Sequence, residues 1–494
     1  MRILYVDIDT LRPDHLGCYG YHRNTSPNID HIAAYGVRFE NCYVSDAPCL
    51  PSRAALYSGQ CGIRNGAINH GGEAADPYVN PDERMFRRPA DSYIMQLRKL
   101  GYYPVTVSPF GERHSSFWFY EGFREMYNTG HGGIESAEQV VPVALDWLDR
   151  RGQEDNWYLH INVWDPHTPY RAPESLGNPF ADDPPPAWMN EALRQASWES
   201  YGPGSAQEPG GGYVPRPDAQ RRPRQPLQID SMAAYREWID GYDCGIYYAD
   251  QWVGKILDKL EELGIVDDTL IMISSDHGEN QGELGIFGDH QTADHITNRV
   301  PMIVRHPKGL GGRGRVDEAL HYQFDVTATL IEMLGGEVPG AWDARSFYPA
   351  FEEQHGEGRG YLVVSNCAWA CQRAVRWSHY LLVRSYHTGF HNFPDVMLYD
   401  VTADPHELDD LAATNPTRVN EGLALLESWT TDEMRRSRRT VDPMWIVMRE
   451  GGPFHARFTS PQFEAYKERL RQTGRAEHAE DLQRRRDRLT TWPH

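Results

Sequence analysis

Three apolar runs constrain this chain most, because each ends in residues that can bind or react. Residues 2–9 read Arg-Ile-Leu-Tyr-Val-Asp-Ile-Asp, Trp157–Trp164 leads into Asp165-Pro166-His167, and Ile271–Ser275 leads into Asp276-His277-Gly278. Such runs fit strands buried on both faces of a sheet. Helical patterns separate them. One starts at the Ser26-Pro27 cap and runs over 26–35. Residues 89–107 give a helix, a Gly101-Tyr102 turn and a β-branched strand through Val105 and Val107. Further helices are expected at 135–151, 229–263 and about 324–334. This alternation predicts an α/β fold, a mostly parallel sheet flanked by helices. Ligand groups in such a sheet collect at the C-terminal ends of the strands.

The rhythm breaks twice. Residues 171–226 hold Pro184-Pro185-Pro186, Gly210-Gly211-Gly212 and Arg221-Arg222-Pro223-Arg224, which mark an insertion. It reads as a surface excursion or subunit contact, or else as a lid over the active site. After Pro349, short strands at 361–365, 373–376, 379–384 and Leu398–Asp400 predict an antiparallel sheet in a smaller C-terminal α+β domain. The expected organisation is a catalytic domain over 1–355 and a C-terminal subdomain over 356–494. The latter ends in a charged helical tail with Glu464, Lys467, Glu468 and Arg471 at pairing distances.

Bulk charge narrows the partners. The formal net charge of the 494 residues is -21. Nucleic acid, which needs a basic footprint, is excluded as a partner. An anionic substrate must be drawn by a local positive cluster against the global field. No apolar run reaches membrane-span length. The start Met1-Arg2-Ile3-Leu4 enters a strand with no leader pattern, so a cytoplasmic protein is expected. The seven cysteines have no framework spacing, which fits reduced thiols. A homo-oligomer is compatible with all of this.

Asp7 and Asp9 lie at i and i+2 of a strand, so their carboxylates share one face. Oxygen-rich ligation of that kind suits a hard divalent ion such as Ca²⁺ or Mg²⁺. The run Cys49-Leu50-Pro51-Ser52-Arg53, followed by Ala54-Ala55-Leu56-Tyr57-Ser58-Gly59, resembles the C-x-P-S-R signature of the type I sulfatases. Asp9 to Gly20 resembles the N-terminal block of that family, and Ser275-Asp276-His277-Gly278 a block shared with the wider alkaline phosphatase superfamily. Asp165-Pro166-His167-Thr168-Pro169 is similar to its Pro-His-x-Pro block, and Leu398-Tyr399-Asp400 with Asp404-Pro405 to its C-terminal pieces.

The resemblance implies an alkaline-phosphatase-like fold and a sulfuric ester hydrolase. Cys49 would be oxidised to formylglycine by a formylglycine-generating enzyme, its hydrate acting as the nucleophile. One divalent ion, Ca²⁺ foremost with Mg²⁺ or Mn²⁺ as alternatives, would be held by Asp7, Asp9, Asp276, His277 and residue 49. Where the family has two adjacent acids, this chain has Asp9-Thr10. Either Asp7 supplies the missing carboxylate or the Thr10 hydroxyl sits near the metal. Arg53, one helical turn after Cys49, would stabilise the diol and an anion. His167 is the expected general acid. His290, in Gly288-Asp289-His290, stands where the family usually places a lysine.

The family's Lys-x-His block is missing, and Ser108, Arg113 and His114 are the candidates for its space, with His114 expected to be catalytic. His70, His387 and His391 are further candidates to line the substrate pocket. Trp118, Trp164 and Trp369 suit stacking on a sugar or aryl ring, and suit a core equally well. The implied substrate is a small sulfate ester of a sugar or aryl alcohol. A phosphonate monoester or phosphodiester hydrolase of the same superfamily is the alternative, because both ester types present tetrahedral anionic centres.

Overall fold

The computed structural model describes residues 1–77, 92–211, 223–453 and 460–490. An eight-stranded sheet forms its centre, in the order Arg315–Tyr322, Val37–Tyr43, Met302–Arg305, Thr269–Ser274, Arg2–Ile8, Trp157–Val163, Tyr103–Val107 and Glu125–Tyr127. Every neighbouring pair is parallel except those made by Met302–Arg305, which runs antiparallel to both of its neighbours. Arg2–Ile8 is buried throughout and pairs with Trp157–Val163 on one side and Thr269–Ser274 on the other. The three tip-bearing runs are thus adjacent central strands, and their tips converge.

Alternate residues of the first strand feed two cores. Ile3 and Tyr5 face one, and Leu4, Val6 and Ile8 the other. The long helix Met232–Glu262 covers the second face, started by Ser231 Oγ accepting from Ala234 N at 3.2 Å. Ala137–Arg151, with a Ser136/Gln139 capping box, packs beside it. On the first face lies the helix Cys49–Ser58, buried along its whole length. It stops at Gly59, where φ is +64° and a side chain would meet Trp342 within 2.3 Å.

A second sheet runs Val396–Asp400, Tyr380–His387, Cys371–Trp377, Tyr361–Asn366 and Asp46–Ala47. Its first four strands are antiparallel, as expected after Pro349. The last is a short parallel addition from the N-terminal region, Asp46 against Ser365 and Ala47 against Asn366. The strand immediately before Cys49 is therefore an edge of the C-terminal sheet.

The insertion is more deeply packed than a surface excursion. Phe180, Met189 and Ala206 join the second core, and residues 201–209 are buried. The charged tail is a hairpin of Ser460–Gln472 and Ala476–Thr490, and it covers that segment. Arg469 Nε and Arg475 Nη2 donate to buried Glu208 at 3.0 and 2.5 Å. The expected residues 89–91, Gly212 and Arg221-Arg222 lie outside the described residues.

Candidate active site

At the strand tips, four ligand atoms from Asp9, Cys49, Asp276 and His277 all lie within 4.8 Å of one another, and all four residues are buried. Cys49 Sγ, at the first residue of its helix, sits 3.1 Å from His277 Nε2. His277 Nδ1 lies 2.8 Å from the Gly278 carbonyl, so it carries the proton and leaves Nε2 as an acceptor.

Arg53 faces the same cluster from one turn along the helix. It donates to Asp276, to Asp7 Oδ2 at 2.8 Å, and lies 3.5 Å from Asp9 Oδ2. Burial alone would raise the Asp9 carboxyl, but the guanidiniums of Arg113 and Arg53 beside it win and hold it well below the usual carboxylate range. Burial pushes the Cys49 thiol far up, and Asp9 and Asp276 add to the effect. An unmodified Cys49 is therefore a protonated thiol at neutral pH.

The residues present fit a cation. Asp7 Oδ1, Asp9 Oδ1 and Thr10 Oγ1 are buried with no hydrogen-bond partner among the described residues, an arrangement that costs free energy unless a positive group satisfies it. Carboxylates with one imidazole suit a hard or borderline divalent ion. Asp7 stands slightly apart from the four-residue cluster. Its Oδ2 is engaged by Arg53 and approached by Asn162 Nδ2 at 3.4 Å and His160 Nε2 at 3.5 Å. Thr10 takes φ +57°, and its N–H donates to Asp276 Oδ1 at 3.3 Å.

A second group also includes Cys49. His167, His290 and Cys49 also have ligand atoms within 4.8 Å of one another. The His277 and His290 rings are 4.1 Å apart, and those of His167 and His290 are 5.4 Å apart. His167 is held by stacking on Trp164 at 4.0 Å and by its Nδ1, 2.5 Å from the Thr168 carbonyl. Burial pushes its pKa down to about 3, so the ring is neutral at rest. Arg113 Nη2 donates to Asp9 Oδ2 at 2.9 Å, and its guanidinium lies 4.1 Å over the Trp164 ring. Its Nε and Nη1 have no hydrogen-bond partner among the described residues.

The other expected residues fall in different places. His70 and His114 form an edge-to-face pair at 4.8 Å beside the start of the Cys49 helix, where Leu50 N approaches His70 Nε2 at 3.5 Å. Ser108, expected to line the substrate pocket, is fully buried. It donates to Asn162 Oδ1 at 3.3 Å and accepts from Phe110 N at 3.2 Å, which fixes the turn carrying Arg113. His391, also expected there, is buried between Gln291 Oε1 at 2.5 Å and the Tyr201 carbonyl at 3.3 Å. It reaches the site through Gln291, the neighbour of His290. His387 accepts from Gly389 N at 2.8 Å in the turn below. Trp118 and Trp369 are core residues, whereas Trp164 is the ring that stacks at the site.

Sequence reasoning missed Glu279, which joins the loops. It accepts from Tyr170 Oη at 2.7 Å and from Thr168 N at 3.4 Å, tying the His167 segment to the His277 segment. It also missed His160 and Asn162. Their signal is a polar pair at i and i+2 inside the otherwise apolar strand Trp157–Val163, which puts both on one sheet face.

Fold and site together place the molecule among the hydrolases of the alkaline phosphatase superfamily. The sulfatase family model matches residues 2–336, and the model described as the N-sulphoglucosamine sulphohydrolase C-terminal region matches residues 282–425. The chain belongs to the sulfatase family and is a sulfate ester hydrolase. It is 22% identical to an N-acetylglucosamine-6-O-sulfatase of Bacteroides thetaiotaomicron, over 89% of this chain and 87% of that one. Among solved structures, it is similar to one described as a complex with its substrate D-glucosamine-2-N,6-O-disulfate (TM-score 0.68, 19% identity, 89% of this chain and 99% of that one). It is also similar to the phosphonate monoester hydrolase of Agrobacterium radiobacter (TM-score 0.66, 20% identity, 88% of this chain and 96% of that one).

Proposed function

We propose that this sulfatase uses residue 49, oxidised from cysteine to formylglycine, to hydrolyse a sulfate ester of a small sugar. The observation that carries the reading is the position of Cys49. It lies at a buried helix start, 3.1 Å from His277 and inside the cluster with Asp9 and Asp276. Burial holds the Cys49 thiol protonated while no cation is bound. A hydrated aldehyde would give residue 49 two hydroxyls, one to attack the ester sulfur and one whose later deprotonation releases sulfate. A serine, with one hydroxyl, cannot complete the second half.

Asp9, Asp276, His277 and residue 49 would hold a divalent ion, Ca²⁺ first among the candidates, with Asp7 or Thr10 adding oxygen. When bound, that ion supplies Lewis-acid charge that lowers the pKa of the attacking hydroxyl and offsets charge on the sulfuryl oxygens. Arg53 balances the carboxylates and fixes their orientation. Arg113 offers its unengaged N–H groups to the sulfuryl oxygens, in the space where the family's lysine block is absent. His167 and His290 also lie beside residue 49 and are the groups to protonate the leaving alcohol. His167 starts neutral, so the proton it gives the leaving alcohol is first taken from the attacking hydroxyl or from solvent. His70 and His114 stand beside the start of the Cys49 helix.

Support for a sugar as the leaving alcohol comes from the relatives, whose names and bound substrate are sulfated glucosamines. The two matching family models are both of sulfatases, which favours sulfate over phosphonate. The test is to co-produce the protein with a formylglycine-generating enzyme and assay 6-O-sulfated and N-sulfated glucosamine with Ca²⁺. Mass analysis of the residue 49 peptide should show thiol-to-aldehyde conversion, and Cys49→Ala should cut kcat/KM by at least ~10³-fold. Full activity in Cys49→Ala would refute the nucleophile.

A further inference from the structure

The two groups around Cys49 differ in chemistry. The group with Asp9, Asp276 and His277 adds two carboxylates and one imidazole to the Cys49 sulfur. The group with His167 and His290 holds one sulfur and two imidazoles, with no carboxylate. Soft and borderline ligands of that type select Zn²⁺ and its relatives over Ca²⁺ or Mg²⁺. We infer that the chain with an unmodified Cys49 has a second metal site, for a soft divalent ion such as Zn²⁺, formed by Cys49 Sγ, His167 and His290.

The supporting geometry lies in the residues behind these ligands. Metal-bound histidines ordinarily give their other ring N–H to a backbone carbonyl or a carboxylate. His167 Nδ1 already lies 2.5 Å from the Thr168 carbonyl, which leaves Nε2 as the free lone pair. Stacking on Trp164 at 4.0 Å fixes the plane of the ring. His290 Nε2 lies 3.7 Å from Asp289 Oδ1. The His290 backbone is clamped by Asn366 Nδ2, which donates to its carbonyl at 2.9 Å.

The distances are close to those a zinc ion needs. Ligands at about 2.0–2.3 Å from the ion in a tetrahedron stand roughly 3.5 Å apart. Ligand atoms within 4.8 Å of one another reach that spacing with shifts of about 1 Å. The thiol must give up its proton, so each ion bound releases one proton to solvent and binding tightens as pH rises. Conversion of Cys49 to formylglycine removes the sulfur and leaves two imidazoles, so the site weakens on maturation. That contrast between forms rests on the formylglycine reading; the site in the unmodified chain does not.

Co²⁺ is the probe, because a thiolate ligand gives it a charge-transfer band in the near ultraviolet and a tetrahedral site gives it strong visible absorption. The full chain is produced without a formylglycine-generating enzyme and titrated with Co²⁺ in excess Ca²⁺, which fills the carboxylate-bearing cluster. The expected result is one equivalent of Co²⁺ with a thiolate band that Zn²⁺ removes and Ca²⁺ does not. The band should vanish in the near-isosteric Cys49→Ser. The visible absorption should weaken in His290→Gln, with thermal unfolding in Ca²⁺ checking that both variants fold. No thiolate band in the wild-type chain, a band that Ca²⁺ displaces, or a band that survives Cys49→Ser would each overturn the site. Sulfate ester hydrolysis by the modified protein is measured separately, so a failed sulfatase reading would leave this result standing.

Discussion

Arg53 decides the electrostatics of the site at the scale of single residues. One guanidinium serves Asp7, Asp9 and Asp276, and all four side chains are at most 4% exposed. Replacing it by alanine leaves Asp7 and Asp276 buried without their counter-charge and Asp9 with Arg113 alone, a change that typically costs about 3–5 kcal/mol. We expect Arg53→Ala to lower stability by that amount in urea unfolding without divalent ions. Added Ca²⁺ should restore more stability to the variant than to the wild-type chain, since a cation then replaces the lost charge. Equal Ca²⁺ responses would contradict this picture. Most of the residues involved could be read from the sequence, because acids at strand tips and the Cys49–Arg53 run carry their chemistry in their spacing. The pairing of Asp7 with Arg53 could not. Which carboxylate a guanidinium meets depends on the strand neighbours, and His160 and Asn162 come from a strand more than 150 positions away. The burial of Ser108 and His391 likewise depends on distant neighbours. Their residue types suit substrate contact, but packing spends them on Asn162 and Gln291.

Among the elements, the short strand Asp46–Ala47 ties the Cys49 helix to the C-terminal sheet. Asp46 Oδ2 accepts from Gly62 N at 2.6 Å and from Ser45 Oγ at 2.7 Å. Burial pushes its carboxyl from the ordinary 3.8 up to about 6. The folded chain therefore keeps this proton longer than the unfolded chain does. The associated stability is present in full below pH 3.8 and is lost as pH rises to about 6. The difference amounts to ~3 kcal/mol. Asp46→Asn, which does not ionise, should gain up to that much on wild type between pH 4 and pH 7, read from thermal unfolding at the two values. An unchanged difference would show that Asp46 titrates normally. The central parallel strands and both long helices over the second face were legible from their apolar periods. Asp46–Ala47 was not, since two residues carry no period. Val37–Tyr43, Met302–Arg305 and Arg315–Tyr322 also escaped notice. Met302–Arg305 is only four residues long and reverses the direction of the sheet.

Over the whole molecule, the C-terminal hairpin acts as a clasp. Glu208 of the insertion is 1% exposed and receives Arg469, Arg475 and Ser205. Tyr201, Trp369 and Phe390 form a separate apolar cluster with Phe463, Tyr466 and Leu482 of the hairpin. Glu208→Ala should leave Arg475 buried and unpaired and free the hairpin locally. Hydrogen exchange should then speed up across 460–487 while the strands Arg2–Ile8 and Thr269–Ser274 stay protected. Equal exchange in both regions would mean that the hairpin unfolds only with the core. The packing of the insertion was hidden in the sequence because its cover comes from the far end of the chain, and its Pro and Gly content suggested only a loop. The central claim, hydrolysis of a sulfate ester by an oxidised residue 49, is tested most directly by one ratio. It is kcat/KM for an aryl sulfate over that for the matching aryl phosphonate monoester, measured on the formylglycine-bearing protein with Ca²⁺. A ratio well above one is predicted. A ratio well below one would contradict the account and make Arg113 and His290 contacts of a phosphonyl group.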